Sequence, residues 1–289
     1  MKQENVHIVP KLSVPIRLQE YGVALFEYAL TKSALKKVLK KRCIRANDVV
    51  ATTATVIKGG ERIILTTPKE SNPKIKLNFK LEVLFEDEYM AVIHKPAGIL
   101  VSGNKFKTIA NALPQNINSS NLPDTTVPQP VHRLDYATTG ILLVGKTSSS
   151  IRALNKMFDN KAIEKIYYAI SIGEINDQGE ISLPIDNKKS HTNYTVIKTV
   201  PSVRFGKLNL IELNPKTGRR HQLRKHLSCL GSPILGDKEY GIENFILNGK
   251  GLYLHAFSIE FVHPFTKETI YLKDELVQRF EKIFGSVFP

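Results

Sequence analysis

The sequence predicts an α+β fold with a mixed, mainly antiparallel sheet, preceded by a small α/β module. Short runs of apolar or alternating residues recur from Leu81 to Leu272, as strands of about four to eight residues do. Helical repeats interrupt them without the regular βαβ alternation of a doubly wound sheet. The first 75 residues have a different make-up, two helical stretches and a short hairpin with dense Lys and Arg, so the expected division is 1–75 and 76–289. At 289 residues and 42% hydrophobic, the chain is long enough to bury a substantial core without disulfides.

In the first part, Arg17 to Leu30 reads as helical, interrupted by Gly22. Thr31 to Arg42 reads as a second helix with Thr31 or Ser33 as N-cap. At about 100° per residue, Ala34, Leu35, Val38 and Leu39 share one face. Lys36, Lys37, Lys40 and Lys41 share the other. Val49–Val56 and Arg62–Thr66 are strand-like around the Lys58-Gly59-Gly60-Glu61 turn, and Ser71-Asn72-Pro73 reads as a linker.

In the second part, Val83–Phe85 and Met90–Ile93 flank the charged turn Glu86-Asp87-Glu88. Residues 104–129, rich in Asn, Ser, Pro and Thr, read as an irregular loop. Ile141–Val144 is a buried strand, followed by a helix with Ile151, Leu154 and Phe158 at helical spacing. In Lys165–Ile172, residues 166, 168, 170 and 172 share an apolar face and Tyr167, Ala169 and Ser171 the other. Leu208–Leu213 is a further strand. Leu254–Phe261 and Thr269–Leu272 form a hairpin around His263-Pro264-Phe265.

Charge narrows the function classes. With 41 basic and 27 acidic residues the formal charge is 41 − 27 = +14, which favours a polyanionic partner, nucleic acid first. The 2 cysteines, Cys43 and Cys229, lack CxxC spacing, which argues against a disulfide framework or zinc ribbon. His221 and His226 fit no zinc pattern, so no metal is expected. Neither an opening signal-peptide pattern nor an apolar run of about 20 residues is present, so a cytoplasmic protein without a membrane partner is expected, as a monomer.

Two runs carry candidate chemistry. In His132-Arg133-Leu134-Asp135-Tyr136-Ala137-Thr138-Thr139-Gly140, turn residues precede a buried strand, so Asp135 sits on a loop that a rigid sheet can present to a pocket. An Asp that merely caps the turn is the plainer alternative. In Thr217-Gly218-Arg219-Arg220-His221-Gln222-Leu223-Arg224-Lys225-His226-Leu227, Thr217 is a plausible N-cap and Leu223, Leu227 and Leu230 form a buried stripe. Arg224 flanks that stripe, while Arg219 and Arg220 lie near the helix start, where phosphates bind well. A surface basic helix is the plainer alternative here.

These runs, with Lys165-Ile-Tyr167-Tyr-Ala169, Val92-Ile93-His94-Lys95-Pro96-Ala97-Gly98, Gly231-Ser-Pro233-Ile-Leu-Gly236-Asp237 and Leu254-His255-Ala256, stand in the same order as in the RluA-type pseudouridine synthases. The resemblance spans roughly residues 80 to 270 and implies the pseudouridine synthase fold. It also implies an RNA uridine isomerase that uses no cofactor, acting on ribosomal or transfer RNA. Asp135 matches the essential aspartate, acting as nucleophile or base, Arg224 its basic partner, and Tyr167 the tyrosine under the target base. Arg133 matches the arginine that fills the space left by the flipped uridine, and Leu223 the apolar residue against the base; His132 is expected beside them in the base pocket. Arg219 and Arg220 are expected to contact RNA. The first 75 residues resemble, in degenerate form, a small RNA-binding module of ribosomal proteins, which implies RNA contact by Lys36, Lys37, Lys40 and Lys41; a structural extension is the other reading. A non-catalytic RNA-binding protein on the same fold is the main alternative function, and an aspartate-dependent hydrolase would need a second positioned carboxylate or a metal site.

Overall fold

The basic helix near the start of the chain forms where its apolar stripe is covered. In the computed structural model, which describes residues 3–23, 25, 26, 29, 32–67, 77–247, 249, 251–275 and 278–285, the chain divides into two units, Met1–Ile75 and Lys76–Pro289. The first unit runs β1 (Gln3–Ile8), β2 (Ile16–Arg17), α1 (Leu18–Tyr21), α2 (Lys32–Lys40), β3 (Ile44–Ala46), β4 (Val49–Val50), β5 (Val56–Ile57) and β6 (Arg62–Thr67). Four strands form a sheet in the order β1-β6-β3-β4, and β2 pairs with β5. Leu35, Val38 and Leu39 of α2 are buried with Ile44, Ile63 and Leu65, while Lys36, Lys37, Lys40 and Lys41 are all exposed. That is the division of faces the periodicity predicts.

The rest of this unit departs from expectation. Ser33 lies inside α2 rather than capping it, and Thr31 lies outside the described residues. The first helix is four residues long because the chain turns at Gly22, whose N–H bonds the Leu18 carbonyl at 2.8 Å. The Val49–Val56 stretch splits between two sheets. β1 escapes a reading by alternation because its Val6 and Ile8 are 49% and 58% exposed. The linker expected at Ser71-Asn72-Pro73 lies outside the described residues.

The second unit runs β7 (Glu82–Glu86), β8 (Met90–Lys95), α3 (Ile109–Ala112), β9 (Thr125–Pro130), β10 (Thr139–Thr147), α4 (Ser148–Asp159), β11 (Glu164–Ile172), β12 (Gln178–Ile181), β13 (Thr192–Ser202), β14 (Gly206–Pro215), α5 (Gln222–Cys229), β15 (Leu254–Val262), β16 (Thr269–Lys273) and α6 (Gln278–Phe284). Its 10-stranded sheet has the order β12-β13-β14-β11-β15-β10-β8-β7, with β16 on β15 and β9 on β10. β10 and β15 run parallel; the other strand pairs of this sheet are antiparallel. This is the mixed, mainly antiparallel α+β architecture expected from the sequence.

β10 is buried throughout, and its centre Ile141–Val144 is apolar because both faces are covered. Leu142 and Val144 enter one core with Ala91, Ile93 and Ile109. Ile141 and Leu143 enter another with Met90, Leu154 and Phe261. At its start Gly140 (φ +111) pairs with Ala256, and a Cβ there would stand 2.2 Å from the Ala256 carbonyl oxygen. Only glycine permits that approach. It brings the loop before β10 against β15, and β11 pairs on the other side, Tyr167 opposite Ala256.

Several expectations need correction. Residues 104–129 include α3, capped by Thr108, and β9. β13 was not apparent in the sequence, since its Thr, Asn and Lys residues carry no apolar run. The second face of β11 is covered as well as the first: Ala169 and Ser171 are both 0% exposed. α5 begins at Gln222 with His221, not Thr217, as N-cap, and Leu230 at its end is 41% exposed, outside the buried stripe. Among the described residues no helix is long and apolar enough to cross a membrane.

Candidate active site

The loop that carries Asp135 is held from beneath by a buried lysine. Lys95, at the end of β8, is 0% exposed, and its ammonium donates to the carbonyls of Thr138 (2.8 Å), Pro96 (3.0 Å) and Tyr136 (3.3 Å). Burial lowers its pKa to about 8, and the Asp135 charge offsets part of that effect. The loop closes on itself through Thr138 N–H to the Asp135 carbonyl (3.2 Å). It is tied to the opposite turn by Gly98 N–H to the Tyr136 carbonyl (2.8 Å). One residue on, the Thr139 hydroxyl is hydrogen-bonded to His255 Nδ1 at 2.9 Å. Burial drives the pKa of His255 down to about 4, so the ring there is neutral at pH 7.

Asp135 projects into a cavity of ≈ 260 Å³ that it lines with Arg133, Tyr167, Arg219, Arg220, His221 and Leu223 among others. It is the one carboxylate among the lining residues. Tyr167 reaches the cavity from β11, beside a register shift between Ile166 and Tyr167 that re-aims the strand. Burial raises the pKa of its phenol above the ordinary range, and the nearby Asp135 carboxylate adds to the shift, so the ring is neutral. Leu223 is 7% exposed and serves both the helix core and the cavity wall.

Arg224 stands behind this cavity rather than in its lining. Its guanidinium donates to both carboxylate oxygens of Asp237, Nε to Oδ2 and Nη2 to Oδ1, each at 2.7 Å. Nη2 also donates to Glu239 at 3.3 Å. Its approach to Asp135, Nη1 to Oδ2, is 3.8 Å, an ion pair without a direct hydrogen bond. The expected Asp135–Arg224 pairing is thus present but secondary; Asp237 is the bidentate partner. Burial works against ionisation of Asp237, but the Arg224 bonds and the N–H groups of Glu239 and Tyr240 outweigh it and lower its pKa. Arg224 is likewise buried, and the Asp237 bonds outweigh burial to raise its pKa. A guanidinium fixed in this way presents positive charge to one side of Asp135 in a single orientation.

The turn before α5 is pinned by Gln222. Its side-chain oxygen accepts from the Thr217 hydroxyl (2.7 Å) and Arg219 N–H (3.0 Å). Its amide donates to the His191 carbonyl (3.0 Å) and the Thr192 hydroxyl (2.9 Å). This fixes Gly218, Arg219 and Arg220 along the cavity edge, all exposed. Sequence reasoning passed over His221, which the structure brings to the site. It adopts left-handed geometry (φ 55, ψ 27), an unusual state for a residue with a Cβ. Its Nδ1 is hydrogen-bonded to the Tyr240 hydroxyl at 2.9 Å, and that hydroxyl donates to Glu239 at 2.8 Å. With the hydroxyl proton so used, Nδ1 carries its own, and Nε2 faces Asp135 at 3.7 Å.

His132 does not join this cavity. Its Nε2 accepts the Leu143 N–H at 2.9 Å and its ring packs on Phe158 at 4.8 Å. Burial drives its pKa down to about 3. It lines a neighbouring cavity instead, so its placement in the base pocket is corrected. Arg133, next to it, is exposed and lines both. Lys36, Lys37, Lys40 and Lys41 belong to the other unit.

The sequence profile of the RNA pseudouridylate synthases matches residues 89–229, the stretch that carries Asp135, Tyr167 and Arg224. The chain is 30% identical to YhcT of Bacillus subtilis, an uncharacterized RNA pseudouridine synthase, over 90% of this chain and 91% of that one. It is 30% identical to the ribosomal large subunit pseudouridine synthase C of Pasteurella multocida, over 94% of this chain and 90% of that one. In fold, the human RNA pseudouridylate synthase domain containing 4 superposes with a TM-score of 0.57 at 24% identity, over 69% of this chain and 90% of that one. The chain belongs to the RluA-type RNA pseudouridine synthases, isomerases that act on RNA.

Proposed function

We propose that Asp135 is the reacting carboxylate, and that the enzyme isomerises a uridine of ribosomal or transfer RNA without a cofactor. One observation carries the reading: a cavity of ≈ 260 Å³, roomy enough for a base, is lined by a single carboxylate, Asp135, with a neutral tyrosine and basic side chains around it. A hydrolase that works with paired carboxylates needs a second one, and the lining supplies none.

The reaction breaks the bond from uracil N1 to ribose C1′, turns the base, forms a bond from C5 to C1′, and releases the C5 proton to solvent as N1 gains one. Atoms and electrons balance within the substrate, so no oxidant or group carrier is called for. Asp135 acts as a nucleophile toward the ribose or ring, or as the base that takes a proton. Arg224, fixed by Asp237, is a positioning residue that holds the direction of that carboxylate. Tyr167 and Leu223 offer flat and apolar surface to the base. A uridine within folded RNA must leave its stack, at a cost of a few kcal/mol, and Arg133 at the cavity mouth is placed to occupy the vacated space. Arg219 and Arg220 contact phosphates near the mouth, and the lysine face of α2 contacts RNA as well.

The ribosomal substrate is supported by relatives named as ribosomal large subunit synthases. The test is incubation in chelator-treated buffer with bulk ribosomal or transfer RNA from cells lacking the protein. Release of the C5 hydrogen as tritium from [5-³H]uridine-labelled RNA is expected; release only after a metal or nucleotide is restored refutes the cofactor-free reading.

A further inference from the structure

Tyr167 stands between two cavities. Beside the one that holds Asp135 lies a second of ≈ 390 Å³, and both are lined by Arg133, Tyr167, Pro215 and the turn from Thr217 to Arg219. Its volume is in the range usual for small-molecule sites, about 300–1,000 Å³. Phe158, with His132 packed on it, forms an apolar wall. Over the Phe158 ring stands the ammonium of Lys165, 5.6 Å from the centroid. Lys165 is the first residue of the Lys-Ile-Tyr run, and the Asp135 chemistry gives it no task.

Its surroundings are unusual for a lysine. Burial lowers the pKa of its amine, with Glu164 offsetting part of the shift. Glu164 is already engaged by Lys216 at 3.0 Å, and Lys165 itself has neither a hydrogen bond nor an ion pair among the described residues. Arg133 and Lys161 in the same lining are also without a carboxylate partner among the described residues. Asp159 is the one acidic side chain of that lining. A half-buried cation without a partner is a standing cost to the folded chain. That cost is offset when an anion arrives, and an apolar ring beside unpaired cations is the chemistry that receives single-stranded nucleotides.

We propose that this cavity is a second nucleotide subsite, which takes the residue adjacent to the target uridine, its phosphate on Lys165 and Lys161 and its base against Phe158 and Pro215. The inference rests on the Asp135 cavity as the place of the target base. Lys165 then governs grip on the RNA, not the chemical step.

The test compares Lys165→Met and Lys165→Arg with the wild type, with tritium release from [5-³H]uridine-labelled bulk ribosomal and transfer RNA and RNA binding over a salt series. For Lys165→Met the expected result is a KM raised about ten-fold, kcat within about two-fold, and a salt slope smaller by about one. The melting temperature should hold or rise, because an unpaired charge is removed. Lys165→Arg should restore most of the KM. A fall in kcat at unchanged KM would assign Lys165 to the Asp135 cavity and overturn the subsite, as would unchanged KM and slope. Failure of the underlying site reading shows separately, as turnover by Asp135→Asn.

Discussion

Replacing Asp237 with Asn removes one charge from a carboxylate whose side chain is 0% exposed and changes almost no volume. The wild-type group accepts two 2.7 Å bonds from Arg224 and further bonds from the N–H groups of Glu239 (3.0 Å) and Tyr240 (3.1 Å). An amide keeps one accepting oxygen and turns its NH₂ toward a guanidinium that cannot accept. Leaving one member of a buried pair uncompensated costs about 3–5 kcal/mol. At roughly 2–4 °C per kcal/mol for a unit of this size, the melting temperature should fall by about 10 °C. The freed guanidinium keeps two acidic neighbours, half-exposed Glu239 at 3.3 Å and the less exposed Asp135 at 3.8 Å, of which the more buried carboxylate holds it harder. Closing on Asp135 draws that carboxylate away from the cavity, a displacement on the scale of 1 Å that costs about 10²-fold in rate. Scanning calorimetry and tritium release from labelled RNA measure the two effects on one preparation. RNA affinity should be unchanged, since the phosphate-facing side chains are untouched. A melting shift under about 2 °C with wild-type kcat would refute the view that Asp237 fixes Arg224.

Other outcomes follow from the same structure. Lys95→Met leaves the Pro96 and Thr138 carbonyls without that donor, at about 1–3 kcal/mol for each buried group, while the Tyr136 carbonyl keeps the Gly98 N–H; it should lower kcat in whatever fraction still folds, and circular dichroism melts and turnover check both. His132 has a folded pKa near 3, below its unfolded value of about 6.5, so the unfolded chain binds the extra proton between those values. Stability from this group is therefore present above about pH 6.5 and lost as pH falls toward 3, and His132→Gln should flatten that part of the denaturation-midpoint profile; an unchanged slope contradicts a buried neutral ring. Changing Lys36, Lys37, Lys40 and Lys41 together to Gln should reduce the salt slope of RNA binding by about 3 with kcat preserved, and an unchanged slope would remove RNA contact from that helix face.

The sequence made the site legible where local pattern decides structure. Thr138-Thr139-Gly140 marks a turn into a buried strand, and that is where Asp135 stands. The α+β class followed from strand spacing, and the hairpin around His263 from its turn residues. What stayed hidden depends on contacts between distant segments. Asp237 lay in a recognised run, yet nothing local says that its partner is Arg224, 13 residues earlier on another element. His221 read as one more residue of a basic turn, because the left-handed backbone that aims it inward leaves no mark in composition. His132 adjoins Arg133 but turns the other way, since its ring accepts a backbone N–H from β10. β13 went unseen because a strand whose residues from Thr195 onward are exposed or only half-buried needs no apolar run.

The account rests most heavily on Asp135. Asp135→Asn preserves shape and removes the carboxylate, and single-turnover tritium release from [5-³H]uridine-labelled RNA reads the chemical step directly. The expected result is RNA affinity within about three-fold of wild type and no tritium release above the protein-free control. Release at a measurable fraction of the wild-type rate, with the same RNA bound, would contradict Asp135 as the reacting group.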